Sequence, residues 1–130
     1  MKKMGVRIVI VLLLAAGMIY LLVYLKGFAE YQANIKSIDI TEINLEEIAD
    51  GEYIGEHDAG FIYAKVCVTI KNHKIEEIKL LEHKHERGQK AESIIDKMLE
   101  QQKIDVDAVS GATNSSKVIK QACVNALGGV

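Results

Sequence analysis

Asp107-Ala108-Val109-Ser110-Gly111-Ala112-Thr113-Asn114-Ser115-Ser116 is the stretch around which the chain is organised. A short apolar run (Ile104, Val106, Val109) leads into it, and a helical pattern opens directly after it. Such a loop-to-helix junction presents free backbone N–H groups and the positive end of a helix dipole, which suit an anion such as phosphate. Gly111 can take positive φ and lets a ligand approach the backbone, while Ala112 adds almost no bulk. These residues predict a phosphate-bearing ligand near Thr113, with Ser110, Ser115 and Ser116 as hydroxyl donors. The plain alternative is an N-cap that binds nothing, because Ser, Thr and Asn cap helices of every kind.

Working outward, Val118, Ile119, Ala122, Cys123, Ala126 and Leu127 form the apolar stripe of a helix from about residue 115 to 127, ended by Gly128-Gly129. Upstream, helical spacing over 89–101 puts Ala91, Ile94, Ile95, Met98 and Leu99 on one face, and 103–109 reads as a short extended segment. From Ile62 to Lys71, Ala64, Val66, Val68 and Ile70 alternate with Tyr63, Lys65, Cys67, Thr69 and Lys71, the pattern of a half-buried strand. A second, irregularly alternating strand follows over 74–81. Asn72-His73 between them fits a two-residue hairpin turn. His tolerates positive φ less well than Asn, so a longer loop competes with that turn. Asn44 and Glu47 stand at capping-box spacing around a short helical turn. The fold class is α+β: a small antiparallel sheet with two amphipathic helices and a thin core.

The N-terminus differs in kind. Lys2, Lys3 and Arg7 precede eighteen uncharged residues, Ile8 to Leu25, and Lys26 closes the run. That length spans a hydrocarbon core as one helix. Tyr20 and Tyr24 lie toward its far end, where amphipathic rings suit an interface, and the basic excess before the span places the N-terminus inside and the domain outside the cytoplasm. A cleaved signal peptide competes, but its apolar core would be shorter and Phe28-Ala29-Glu30 makes a poor cleavage site. The expected organisation is a transmembrane anchor over 1–26, a linker over 27–49 whose first part, 27–39, reads equally as a helical continuation, and a domain over 50–130.

Beyond Lys26, twelve Lys and Arg face eighteen Asp and Glu, a net charge of −6. A nucleic-acid partner would want a basic stripe and is excluded. Eight of the carboxylates fall between Ser37 and Ala64 with no Lys or Arg among them, which reads as a solvated face or a docking patch for a basic redox partner. Cys67 falls on the polar side of its strand and Cys123 on an apolar stripe, so two free thiols, at least one of them buried, are expected. His83 and His85 share a face if 83–85 is a strand, with Glu82 or Glu86 nearby. They form a possible metal-ligand pair, set among Lys and Glu as on a solvated surface strand. A hydrolase is not indicated, since Ser110 lacks the context of a nucleophile elbow.

The run Asp107 to Thr113, D-x-x-S-G-A-T, resembles the flavinylation motif of the FMN-binding domain family, found in subunits of the sodium-pumping NADH:quinone oxidoreductase, in the Rnf complex and in small membrane-anchored redox proteins. Asp50-Gly51-Glu52-Tyr53-Ile54-Gly55-Glu56 is similar to the family's opening D-G-x-Y-x-G, so the likeness covers roughly residues 50 to 127. It makes 50–130 an FMN-binding-type domain and implies FMN joined covalently to Thr113 through a phosphoester, installed by a flavin transferase that uses FAD. Ser110, Gly111, Ala112, Ser115 and Ser116 would surround the phosphate. Asp107 would act during flavinylation or simply fix the turn as an Asx residue. The segment from Leu81 to Gly88 would neighbour the flavin ring, with Tyr53, Phe61 and Tyr63 as aromatic candidates for stacking. The implied protein is a membrane-anchored, one-flavin electron carrier or oxidoreductase subunit rather than an independent enzyme. Its partners would be the transferase and redox donor and acceptor proteins or a quinone. The rival is a non-redox, membrane-tethered binding module, or a metal-binding one using His83 and His85.

Overall fold

The computed structural model describes residues 1–85 and 88–128. The chain runs α1 (Lys2–Ser37), a 3-10 turn (Leu45–Glu47), β1 (Gly51–Asp58), β2 (Tyr63–Lys71), β3 (Lys74–Lys84), a second 3-10 turn (Gln89–Ser93), α2 (Ile94–Gln101) and α3 (Thr113–Gly128). The three strands form one antiparallel sheet in the order β1-β2-β3. This is the expected α+β class.

One face of the sheet carries the core. Ala64, Val66, Val68 and Ile70 of β2 are buried against α3, whose buried side chains include the whole predicted stripe: Val118, Ile119, Ala122, Cys123, Ala126 and Leu127. A fully buried Val or Ile contributes about 2 kcal/mol of transfer free energy, so these contacts outweigh the weak helix propensity of Val, Ile and Asn in α3. The helix lies so close to β1 that Gly55 sits directly under it. A Cβ there would run into Ala126 N and Ala122 O and lie 2.6 Å from Ala126 Cα.

β3 departs from simple alternation for an identifiable reason. Pairing with β2 slips twice, between Lys65 and Val66 and between Thr69 and Ile70, so Leu81 and Glu76 are extra residues on β3. Each bulge reverses which parity faces the core. Ile75 and Ile78, three apart, are therefore both buried, paired with Ile70 and Val68. The hairpin turn has two residues, with Asn72 and His73 at φ 51° and 61°, and the longer loop is not formed. Asp50 Oδ1 accepts from Asn72 N–H at 2.9 Å and anchors the turn, which offsets the strain at His73.

Other expectations shift at the edges. The helical pattern over 89–101 begins as a 3-10 turn and becomes α only at Ile94; Ala91, Ile94 and Met98 are its buried residues. The segment 103–109 is not a strand. Its backbone is held by side chains instead: Glu42 accepts from Ile104 N and Asp105 N, and the buried Lys120 Nζ donates to Val106 O at 2.9 Å. Gln102, at φ 51°, closes α2 and pairs its side-chain amide with both N–H and C=O of Ile75. The Asn44 cap forms as predicted, accepting from Glu46 N and donating to Glu47 Oε1. Both cysteines are free and buried, including Cys67 on the outer face, and burial pushes the Cys123 thiol up to about 12. The end of α3 is described through Gly128, so Gly129 lies outside the described residues.

α1 is one helix from Lys2 to Ser37, long and apolar enough by length and composition to cross a membrane. The segment after Lys26 is its helical continuation. Tyr31 and Ile35 on its last turns, and Ile48 beyond, join the domain core. Its end is tied to β1 through Asn34, which accepts from His57 Nε2 at 3.0 Å and donates to Asp58 O at 3.4 Å.

Two tests follow from this packing. Gly55→Ala should destabilise the domain by about 3 kcal/mol, the upper part of the usual range for overpacking, read by chemical denaturation. Burial lowers the His57 pKa from its ordinary value of 6.5, so the unfolded chain binds the proton more readily than the folded one. Stability should therefore fall as pH drops through about 6.5 and below, and His57→Gln should flatten that dependence in pH-resolved thermal melts.

Candidate functional site

The expected loop-to-helix junction forms as such. Ala112 N donates to Val109 O in a turn, Gly111 takes φ 80°, and α3 starts at Thr113. The turn is fixed from inside by Ser116, which is fully buried. Its Oγ donates to Ala112 O at 2.8 Å and accepts from Val109 N at 3.0 Å. Ser116 is thus committed to holding the loop, not as a cap but from inside the helix, where its hydroxyl bonds back to the turn before Thr113. Asp107 is exposed and makes no hydrogen bond among the described residues, so the turn does not depend on an Asx bond from it. Ser110 is likewise exposed.

Gly111, Ala112, Thr113, Asn114 and Ser115 line one side of a cavity of about 460 Å³. Thr113 is exposed at the first position of α3, and its hydroxyl has no partner among the described residues. Ser115 is buried at the cavity edge against Gly88, where a Cβ would collide with its Oγ. Gly111 has nothing within 4 Å of where a Cβ would stand, and its positive φ is a conformation L residues rarely adopt.

The opposite side of the cavity is aromatic: Tyr24, Phe28 and Tyr31 from α1 with Phe61 and Ile62 from the β1–β2 connection. Their rings touch in a chain. Tyr24 and Phe61 lie 5.8 Å apart, Phe28 and Phe61 6.4 Å, and Tyr31 meets Phe61 edge-on at 5.4 Å. Asn114 Nδ2 donates to Tyr31 Oη at 3.0 Å, joining the two walls.

Of the aromatic candidates, only Phe61 faces this cavity. Tyr53 Oη donates to Ala49 O. Tyr63 Oη donates to Glu56 at 2.6 Å, a bond that pushes its pKa up to about 12. From the expected Leu81–Gly88 neighbourhood, Gly88 lines the cavity, and Glu86 and Arg87 lie outside the described residues. Sequence reasoning missed Tyr24, Phe28 and Tyr31 as wall residues. The available signal was their spacing of four and three, which puts all three on one face of α1.

This arrangement sets the exposed start of a helix opposite an aromatic wall, chemistry suited to the phosphate and the ring system of flavin mononucleotide. Residues 59–128 match the family described as the FMN-binding domain. The chain belongs to the FMN-binding domain family. The match begins at Ala59, so the Asp50–Glu56 motif lies upstream of it. No curated protein matches the chain significantly. As a member of this family the chain is a flavin-binding module, and its residues fit FMN: donors at the start of α3 for the phosphate, rings on α1 and Phe61 for the isoalloxazine.

Ser116→Ala would strand Val109 N–H without its acceptor, at a cost of about 1–3 kcal/mol. The expected readouts are a lower thermal midpoint and faster amide exchange confined to residues 107–113.

Proposed function

We propose that this protein is a membrane-anchored flavoprotein that carries FMN covalently on Thr113 and relays electrons outside the cytoplasm, alone or as a subunit of a larger oxidoreductase. The observation that carries this reading is the Thr113 hydroxyl, exposed at the head of α3 and opening onto an aromatic cavity within an FMN-binding domain.

The roles divide by position. Thr113 Oγ is the acceptor of the phosphoester, with FAD as the flavin source and a flavin transferase as the partner that installs it. Ser115 and the unpaired N–H groups of the first turn of α3 face the phosphate, favoured further by the helix dipole. Gly111 keeps the approach to Thr113 open. Ser110 and Asp107 are both exposed; in this reading Ser110 adds a donor to the phosphate and Asp107 acts during flavinylation. Tyr24, Phe28 and Phe61 exclude water and offer ring faces to an apolar plane. Bound FMN supplies the redox chemistry, and the protein supplies position and polarity. No acid–base constellation is needed, which suits a carrier between a membrane donor, protein or quinone, and an external or neighbouring acceptor.

α1 is the anchor in this reading. Lys2, Lys3 and Arg7 ahead of the span set the N-terminus in the cytoplasm and the flavin domain outside.

Intact mass of protein produced with a flavin transferase tests the proposal. The chain should gain one FMN less one water and fluoresce in a denaturing gel, and Thr113→Ala should abolish both while leaving the fold intact. A colourless, unmodified wild-type chain from a transferase-competent host refutes covalent attachment. For orientation, Lys103→Cys, at an exposed position, should label from outside intact cells; labelling only after lysis reverses the topology.

A further inference from the structure

We infer that His83, His85 and Glu92 form a site for a divalent transition metal of the zinc type, distinct from the flavin loop. The site begins with the bulge at Leu81. Without it, the core-facing parity set by Leu80 would carry Glu82 and Lys84 inward. The extra residue makes His83 the partner of Ala64, which is fully buried. His83 is therefore not on a solvated surface strand: its side chain is 3 % exposed.

A buried imidazole needs both nitrogens satisfied. His83 Nδ1 donates to Glu92 Oε1 at 3.1 Å, and Nε2 has no partner among the described residues. A metal ion standing where the Nδ1 proton does would take Nδ1 and Glu92 Oε1 as ligands together, because their 3.1 Å separation is close to that of two ligands on one ion. The His85 ring stands 4.5 Å from that of His83, and one ligand atom from each of His83, His85 and Glu92 falls within 4.8 Å of the others.

Tetrahedral zinc, with bonds of about 2.0–2.2 Å, spaces its ligand atoms about 3.4 Å apart, so the set must draw in by about an ångström. The freedom for that lies in Glu92, whose side chain is 42 % exposed. It lies also in His85, which holds only a 3.2 Å hydrogen bond from Gly88 N–H and exchanges it for the metal. Two imidazoles and one carboxylate favour zinc and its neighbours over magnesium or calcium, which demand oxygen ligands. Three protein ligands leave a fourth position for water.

The test uses the full-length chain in detergent, stripped with chelator and titrated with Zn²⁺ and with Co²⁺, whose visible absorption reports tetrahedral coordination. One equivalent should bind, with visible cobalt bands and a raised melting midpoint. His85→Ala and Glu92→Gln, at half-exposed positions that spare the core, should each weaken binding roughly tenfold or more. His73→Asn, at the hairpin tip, should bind as the wild type does. Substoichiometric binding, or binding undiminished in folded His85→Ala, overturns the assignment.

Discussion

The close seating of α3 on β1 is the constraint from which the rest of the domain follows. Gly55 supplies no side chain, so the backbone of Ala122 and Ala126 comes down onto the strand itself. With that contact made, the direction of α3 is set, and its first residue, Thr113, emerges at one end of the sheet rather than over its face. Ser116 then pulls the incoming loop against the helix, and Gly88 lets Ser115 nest beside it. Gly55 thus admits the helix backbone and Gly88 admits the Ser115 side chain, whereas Gly111, with nothing within 4 Å of where a Cβ would stand, is needed for its positive φ. A bulkier residue at 55 or 88 would push α3, and the Thr113 hydroxyl with it, away from its seat.

Legibility in the sequence followed the range of the interactions. The stripe of α3, the alternation of β2 and the D-x-x-S-G-A-T junction rest on neighbours a few residues away, and all three were readable. What escaped depends on distant partners. The register slips of β3 are set by pairing with β2, and Leu81 as an extra residue has no local signature; with it went the burial of His83. The segment 103–109 was readable as extended, but that Glu42 and Lys120, far off in sequence, hold its backbone had no local sign. His73 at positive φ went against local preference because Asp50, twenty-two residues back, ties down the preceding amide.

The aromatic wall shows the same effect at larger scale. Tyr24 reads as an interfacial residue and Phe28 and Tyr31 as part of a connection, and each is so by local criteria. Only when the end of α1 docks beside Phe61 do the three rings become one side of a cavity whose other side is the α3 loop. The cavity therefore extends upstream of residues 59–128: one wall comes from the helix that precedes the matched domain, and the Asn114–Tyr31 hydrogen bond joins the two walls.

α1 enters the core without a break between its apolar run and Ile35. For a chain anchored by that run, the domain is a head on a stiff post, not a bead on a string. Height above the bilayer and tilt are then inherited from the helix, and the only large freedoms left are spin about its axis and drift in the plane of the lipid. If the domain relays electrons as proposed, its encounters with partner centres become a two-dimensional search at a nearly constant height, which favours partners whose reactive edge lies at that level.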